Sequence, residues 1–217
     1  MPTLVSHLLA FAGAALLLAM APGPATAVLL RQTIRHGRAR GFATVAGIEA
    51  GVFFWASMAA LGLTAVLAAS EIAYTVVLRI VGAVTLIVLG VQAILRSRTS
   101  TTAHDDLDDE APLAHLTGSH WGAFRAGLVT NLANPKAGVF AVSFLPQFIP
   151  SGSAVLPTGM LLAAVWVACD CSWYLTLTTA NHAARSWFRR GSLRRRLERW
   201  SGVALIGFGL RLAAQSR

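Results

Sequence analysis

Lysine is almost absent from this chain: 17 arginines accompany a single lysine, Lys136. Charge of every kind is scarce, at 12% Asp, Glu, Lys and Arg, against about 25% in a soluble domain, and that excludes an ordinary water-soluble fold. Cysteine is limited to Cys169 and Cys171, both inside one apolar run. At i, i+2 they point to different sides of a helix, so a disulfide or thiolate metal site is not expected there, and two small core residues is the better account. No basic residue precedes the first apolar run. Although Ala19-Met20-Ala21 has a cleavage-site form, the n-region of a signal peptide is missing, and the run is expected to be a retained span.

What the chain does have is apolar sequence: 55% of its 217 residues are hydrophobic, and the mean hydropathy is +0.62. This describes a polytopic membrane protein forming one domain over residues 1–217. The net charge of +9 invites a nucleic-acid reading, but the arginines cluster in short stretches between apolar runs, so no nucleic-acid partner is expected. A span needs about 20 mostly apolar residues. Six runs qualify or nearly so: 4–30, 42–69, 74–95, 123–149, 154–180 and a shorter 200–214. The first three form one half (1–95), a polar linker follows (96–120), and the last three form the second half (121–217). The segments after runs one, three and five hold 14 arginines and the opposite side holds three, Arg79, Arg211 and Arg217. Basic segments stay in the cytoplasm, so both termini are expected outside.

The halves carry similar features in the same order. Run one is interrupted by Pro22-Gly23-Pro24 and run four by Asn134-Pro135. Gly51-Val52-Phe53-Phe54-Trp55 in run two answers Cys169-Asp170-Cys171-Ser172-Trp173 in run five. Glycines punctuate runs three (Gly82, Gly90) and six (Gly202, Gly207, Gly209). Three spans is an odd number, so the second half enters the membrane from the opposite side. The expected fold is therefore an all-α membrane protein of six transmembrane segments, a 3+3 inverted repeat with discontinuous first and fourth helices, as in many secondary transporters.

Proline in a helix removes a hydrogen bond, and in lipid such breaks are tolerated where they line a cavity or pack in protein. Two breaks at matching places point to a substrate site, with half-helix N-termini suited to a carboxylate. Lys136 lies beside the second break, about 12 residues or ~18 Å from either end of its run, too far for easy snorkelling. A charge at mid-membrane costs on the order of 3 kcal/mol, so intramembrane charges are read as functional. Glu49 in run two and Asp170 in run five suit proton relay or cation binding; an ion pair with Lys136 is the structural alternative. Gly47, Gly51, Gly82, Gly90, Gly202 and Gly209 read first as packing residues. Trp55, Trp166 and Trp173 read as packing or interface residues that could also line a substrate path.

These residues resemble the lysine exporter / homoserine-threonine efflux family of amino acid exporters. The carrying motifs are Ala21-Pro22-Gly23-Pro24, Phe124-x-x-Gly127, Asn131-Leu132-x-Asn134-Pro135-Lys136-Ala137, then Phe140 and Leu145-Pro146-Gln147-Phe148. The resemblance covers essentially the whole chain. It implies a cytoplasmic (inner) membrane protein that exports amino acids or their derivatives, by exchange with protons. Two positions depart from the family pattern: Ala25 follows Pro-Gly-Pro where Asp or Asn is common, and Val52 follows Gly51 where an acid is frequent. Glu49, one turn earlier, could substitute for that acid.

The expected substrate site is Lys136, Asn134, Asn131, Pro22, Gly23, Pro24 and Pro135, with Asp170 and Glu49 as proton-coupling residues. The partners would be an amino acid, protons and membrane lipid, and small-residue faces permit a homodimer without requiring one. No catalytic residue, cofactor or resident metal is expected. The nearest rival is a metal-cation exporter on the same scaffold, in which linker residues His104, His115 and His120 would matter. A membrane enzyme or scaffold is the rival of another class, and no span shows a nucleophile–base set to support it.

Overall fold

The computed structural model describes residues 4–21, 23–69, 80, 83–84, 87–88, 90–95, 119–150, 152–180 and 191–214. Among these residues every regular element is a helix. Helix α1 (Leu4–Met20) and α2 (Pro24–His36) meet at a 60° bend. Gly23 is the extended N-cap of α2 and Pro24 opens it. Proline suits that position, because a first-turn N–H would go unpaired anyway. Pro22 lies outside the described residues.

Helix α3 (Arg38–Ala69) follows after one residue, Gly37, whose φ of 87° lies in the left-handed region that glycine adopts without strain. The basic stretch Arg31–Arg40, read from sequence as a polar connection, is thus helical on both sides of that turn. Helix α4 (His120–Leu132) starts at Ser119, whose Oγ accepts from the Gly122 amide at 3.0 Å. The break at Ala133-Asn134 then leads into α5 (Pro135–Val139), a π-helical turn (Phe140–Phe144) and a 3₁₀ turn (Leu145–Phe148). Run four was expected to be broken once; beyond the short α5 it is instead irregular from Phe140 to Phe148. Pro146 inside it has no N–H to give to an α-helical ladder. Gln147 Nε2 donates to the Ser143 carbonyl in its place.

Helix α6 (Val155–Thr179) matches run five, while α7 (Gly191–Ala214) starts nine residues before Trp200 and takes in part of the second basic stretch. Among the described residues two helices are long and apolar enough to cross a membrane, Arg38–Thr64 within α3 and Val155–Thr179, and the bent α1–α2 pair makes a third if it is one span. Run three is described only in part, and Gly82, His104 and His115 lie outside the described residues.

Glycine contacts give the relative directions. Gly47 lies against Phe124 and Leu128, Gly127 against Thr44 and Ile48, and Gly51 against Asn131, so α3 and α4 run parallel. Gly159 packs on Ala60 while Thr178 packs on Gly41, so α6 runs antiparallel to α3. The described residues of run three run antiparallel to α7: a Cβ on Gly90 would meet the Gly202 carbonyl at 2.6 Å, one on Gly202 the Gly90 carbonyl at 2.7 Å, and one on Gly209 the Ala83 carbonyl at 2.9 Å. The packing role read for Gly47, Gly51, Gly90, Gly202 and Gly209 is therefore what the structure shows. The packed core has two ends. Arg38, Arg40, Gly41 and Thr178 mark a basic end; Ala60, Gly159 and Ile149 mark the other.

Candidate functional site

The two helix breaks meet on the one lysine. Lys136 Nζ donates to the carbonyls of Leu18 at 2.7 Å and Ala21 at 3.0 Å, the last acceptors of α1 before its break. A helix leaves its final carbonyls unpaired and carries partial negative charge there, so a cation is stabilised at that place. Sequence reading offered a carboxylate as the structural partner of Lys136; its hydrogen bonds go to backbone carbonyls instead. Asn134 holds the root of the same side chain: its Oδ1 accepts from the Lys136 amide at 3.1 Å and so caps α5. An ammonium has three N–H groups, and two of them are engaged here.

Glu49 and Asp170 come together although they lie on different helices. Each acts electrostatically on the other or its neighbours, and Asp170 also faces Lys136. Both are buried, at 7% and 5% exposure. Neither oxygen of Glu49 has a hydrogen-bond partner, nor does Asp170 Oδ1. Asn131 is buried beside Gly51, with Oδ1 unpartnered, and the indole nitrogens of Trp55, Trp166 and Trp173 are unpartnered as well. Buried polar groups are normally hydrogen-bonded, so these residues form a concentration of unused polar capacity. Gly23 is partly buried at the bend, while Pro24 and Pro135 are exposed.

Two residues passed over in the sequence belong to this neighbourhood. The buried stripe of α6 runs through Trp166, Asp170 and Tyr174 at four-residue steps. Tyr174 senses both carboxylates and reaches the Thr26 side chain of α2. The 3.6-residue period counted from Asp170 would have found it. Gly138, two residues past Lys136, lets the Trp55 ring approach: a Cβ there would lie 3.2 Å from it. Among the described residues no three His, Cys, Asp or Glu side chains stand together as a metal site.

The family model for LysE type translocators matches residues 16–216. The chain belongs to that family. It is 28% identical over 206 residues to an uncharacterized membrane protein, YrhP, of Bacillus subtilis, covering 94% of this chain and 97% of that one. The leucine efflux protein of Klebsiella pneumoniae is 26% identical over 211 residues, 96% of this chain and 95% of its own length. The threonine efflux protein of Escherichia coli K12 is 29% identical over 197 residues, 89% and 90% of the two chains. No solved structure matches the chain. This is the family that the motifs Ala21-Pro22-Gly23-Pro24 and Asn131-Leu132-x-Asn134-Pro135-Lys136-Ala137 resembled.

Proposed function

We propose that this protein is a secondary transporter of the cytoplasmic (inner) membrane that exports amino acids or amino acid derivatives from the cytoplasm, coupled to protons. The observation that carries the reading is the buried Glu49–Asp170 pair standing beside the lysine that joins both helix breaks. The efflux proteins for leucine and threonine among its relatives support the substrate class. The free third N–H of Lys136, with Asn131 and the backbone about Pro22-Gly23-Pro24 and Asn134-Pro135, would take the substrate carboxylate. Asp170 or Glu49 would take its ammonium group or the coupling proton, as intramembrane carboxyls often do. Phe53, Phe54, Met58 and Leu61, exposed on α3, would face lipid.

The parallel run of α3 and α4, and the antiparallel course of the described run-three residues and α7, support six spans in a 3+3 inverted repeat. Both pairings follow if run two and run four leave the cytoplasm while run three returns to it. Both termini then lie outside. A phosphatase fused at the C-terminus should be active and a fluorescent protein there dark; the reverse pattern would overturn the orientation.

Efflux from proteoliposomes tests the function. Vesicles loaded with a panel of labelled amino acids and given a proton gradient should release one chemical group of them. Glu49→Gln and Asp170→Asn should flatten the pH dependence of release, because each removes a group able to bind the coupling proton. Normal rates and unchanged pH dependence in both variants would exclude the acid pair from coupling. Release of no amino acid from well-folded protein would exclude the substrate class.

A further inference from the structure

Polar and apolar side chains are divided between the two ends of the molecule. Most buried polar residues among those described, including Thr26, Thr33, Thr44, Glu49, Asp170 and Thr178, lie at or on the basic side of Lys136; Ser143, within the ring-bearing segment, is the exception. On the other side the space between α1, α6 and α7 is filled by aromatic rings carried mainly on the irregular end of run four. Phe140 stands with its ring centroid 5.9 Å from Phe11, 4.7 Å from Phe144 and 4.7 Å from Trp166. Phe144 meets Phe148 at 4.8 Å and Phe208 at 5.0 Å, and Phe148 returns to Phe11 at 5.3 Å. Helices α1, α6 and α7 and the irregular end of run four each contribute a ring. Phe11, Phe140, Phe144 and Trp166 are all at most 2% exposed.

We propose that these six rings are the outer gate of the transport pathway, shut in this structure, and that the π and 3₁₀ turns of Phe140–Phe148 are its moving part. This rests on the exporter reading and on the basic end being cytoplasmic. The backbone favours this element as the mover. A π turn and a 3₁₀ turn hold poorer hydrogen-bond geometry than an α-helix, and π turns occur often at functional sites. Pro146 removes one donor more. The segment is therefore held more by its side chains than by its own ladder, and rings that slide apart carry it with them. Lys136 fixes the segment's start to the end of α1. A change at Lys136, beside the acid pair, is transmitted directly to Phe140 one turn away. Trp166 lies one turn from Asp170 on the same stripe of α6 and completes the link between the acids and the rings.

A native thiol reports on the gate. Cys171 is partly buried and lies within electrostatic reach of Glu49 and Asp170, on the inner side of the rings. With Cys169→Ser as background, Cys171 is the only thiol. A membrane-impermeant cationic methanethiosulfonate applied from outside to right-side-out vesicles should modify it slowly. Phe140→Ala should speed that modification roughly tenfold, the change that about 1.4 kcal/mol in the opening equilibrium gives. Phe140→Leu, which refills the space with an apolar side chain, should return it toward the slow rate. Phe148→Ala, at the partly buried rim, repeats the test where Phe140→Ala folds poorly. Equal rates with and without the ring, or no outside modification in either alanine variant, would overturn the gate. Labelling needs no substrate, so an amino acid panel that shows no efflux leaves this result standing by itself.

Discussion

Lys136→Met, which keeps the length and apolar stem and removes the charge, should cut amino acid efflux by roughly ten- to a hundredfold. The range is the worth of one hydrogen bond made by a charged group, about 1.5–3 kcal/mol, at about 1.4 kcal/mol per tenfold. Two such bonds run to Leu18 and Ala21. The variant also takes the lysine from the Ala21 carbonyl and leaves Leu18 only the Ala21 amide as partner, so the melting temperature in detergent should fall. Lys136→Arg retains the charge, but a planar fork replaces a compact ammonium whose donors rotate freely. Much of the fold stability should return in that variant, with transport only partly restored. The two readouts separate holding the helices together from handling substrate. Full efflux by Lys136→Met at wild-type stability would remove the lysine from both roles.

The membrane class, the breaks and the intramembrane charges were legible because each is a local property of the sequence. Proline at Pro24 and Pro135 ends a hydrogen-bond ladder wherever it stands, and a lysine or carboxyl in an apolar run has few bland explanations. Glu49 and Asp170 could be picked out individually for the same reason. Their meeting, and the reach of Lys136 to carbonyls 115 and 118 residues away, could not be. Backbone carbonyls are present at every position and leave no mark in a sequence, so a carboxylate was the natural partner to expect. The irregular turn from Phe140 to Phe148 was hidden likewise, since its apolar residues suit a helix and only Pro146 speaks against one. The basic stretch about Gly37 read as a connection because arginines dominate it, yet arginine is a good helix former and the chain stays helical to either side of one glycine. Gly127 stood in the sequence as a motif residue without a stated reason, and that reason lies in the other half of the chain.

Gly47→Val and Gly127→Val should each prevent correct assembly, the largest structural effect expected of any single substitution here. A Cβ on Gly47 would run into the carbonyl of Phe124, and one on Gly127 into the carbonyl of Thr44. The obstacles are backbone atoms of the facing helix, so no rotamer change relieves them, and α3 and α4 have to separate. Small residues allow this closeness, and packing between helices is the main attraction available within a membrane. Even alanine should cost about 1–3 kcal/mol, the usual range for overpacking a filled core. Separating these helices also draws Gly51 away from Asn131 and loosens Glu49 against the rest of the site, so efflux should fall with stability. Gly62 supplies the control on the same helix: nothing lies within 4 Å of a Cβ there. Gly62→Ala should leave the melting temperature unchanged or raise it slightly, as alanine is the better helix former. Size-exclusion profiles and melting curves in detergent decide the matter. A Gly47→Ala protein that melts with the wild type would show that α3 and α4 do not meet backbone to backbone.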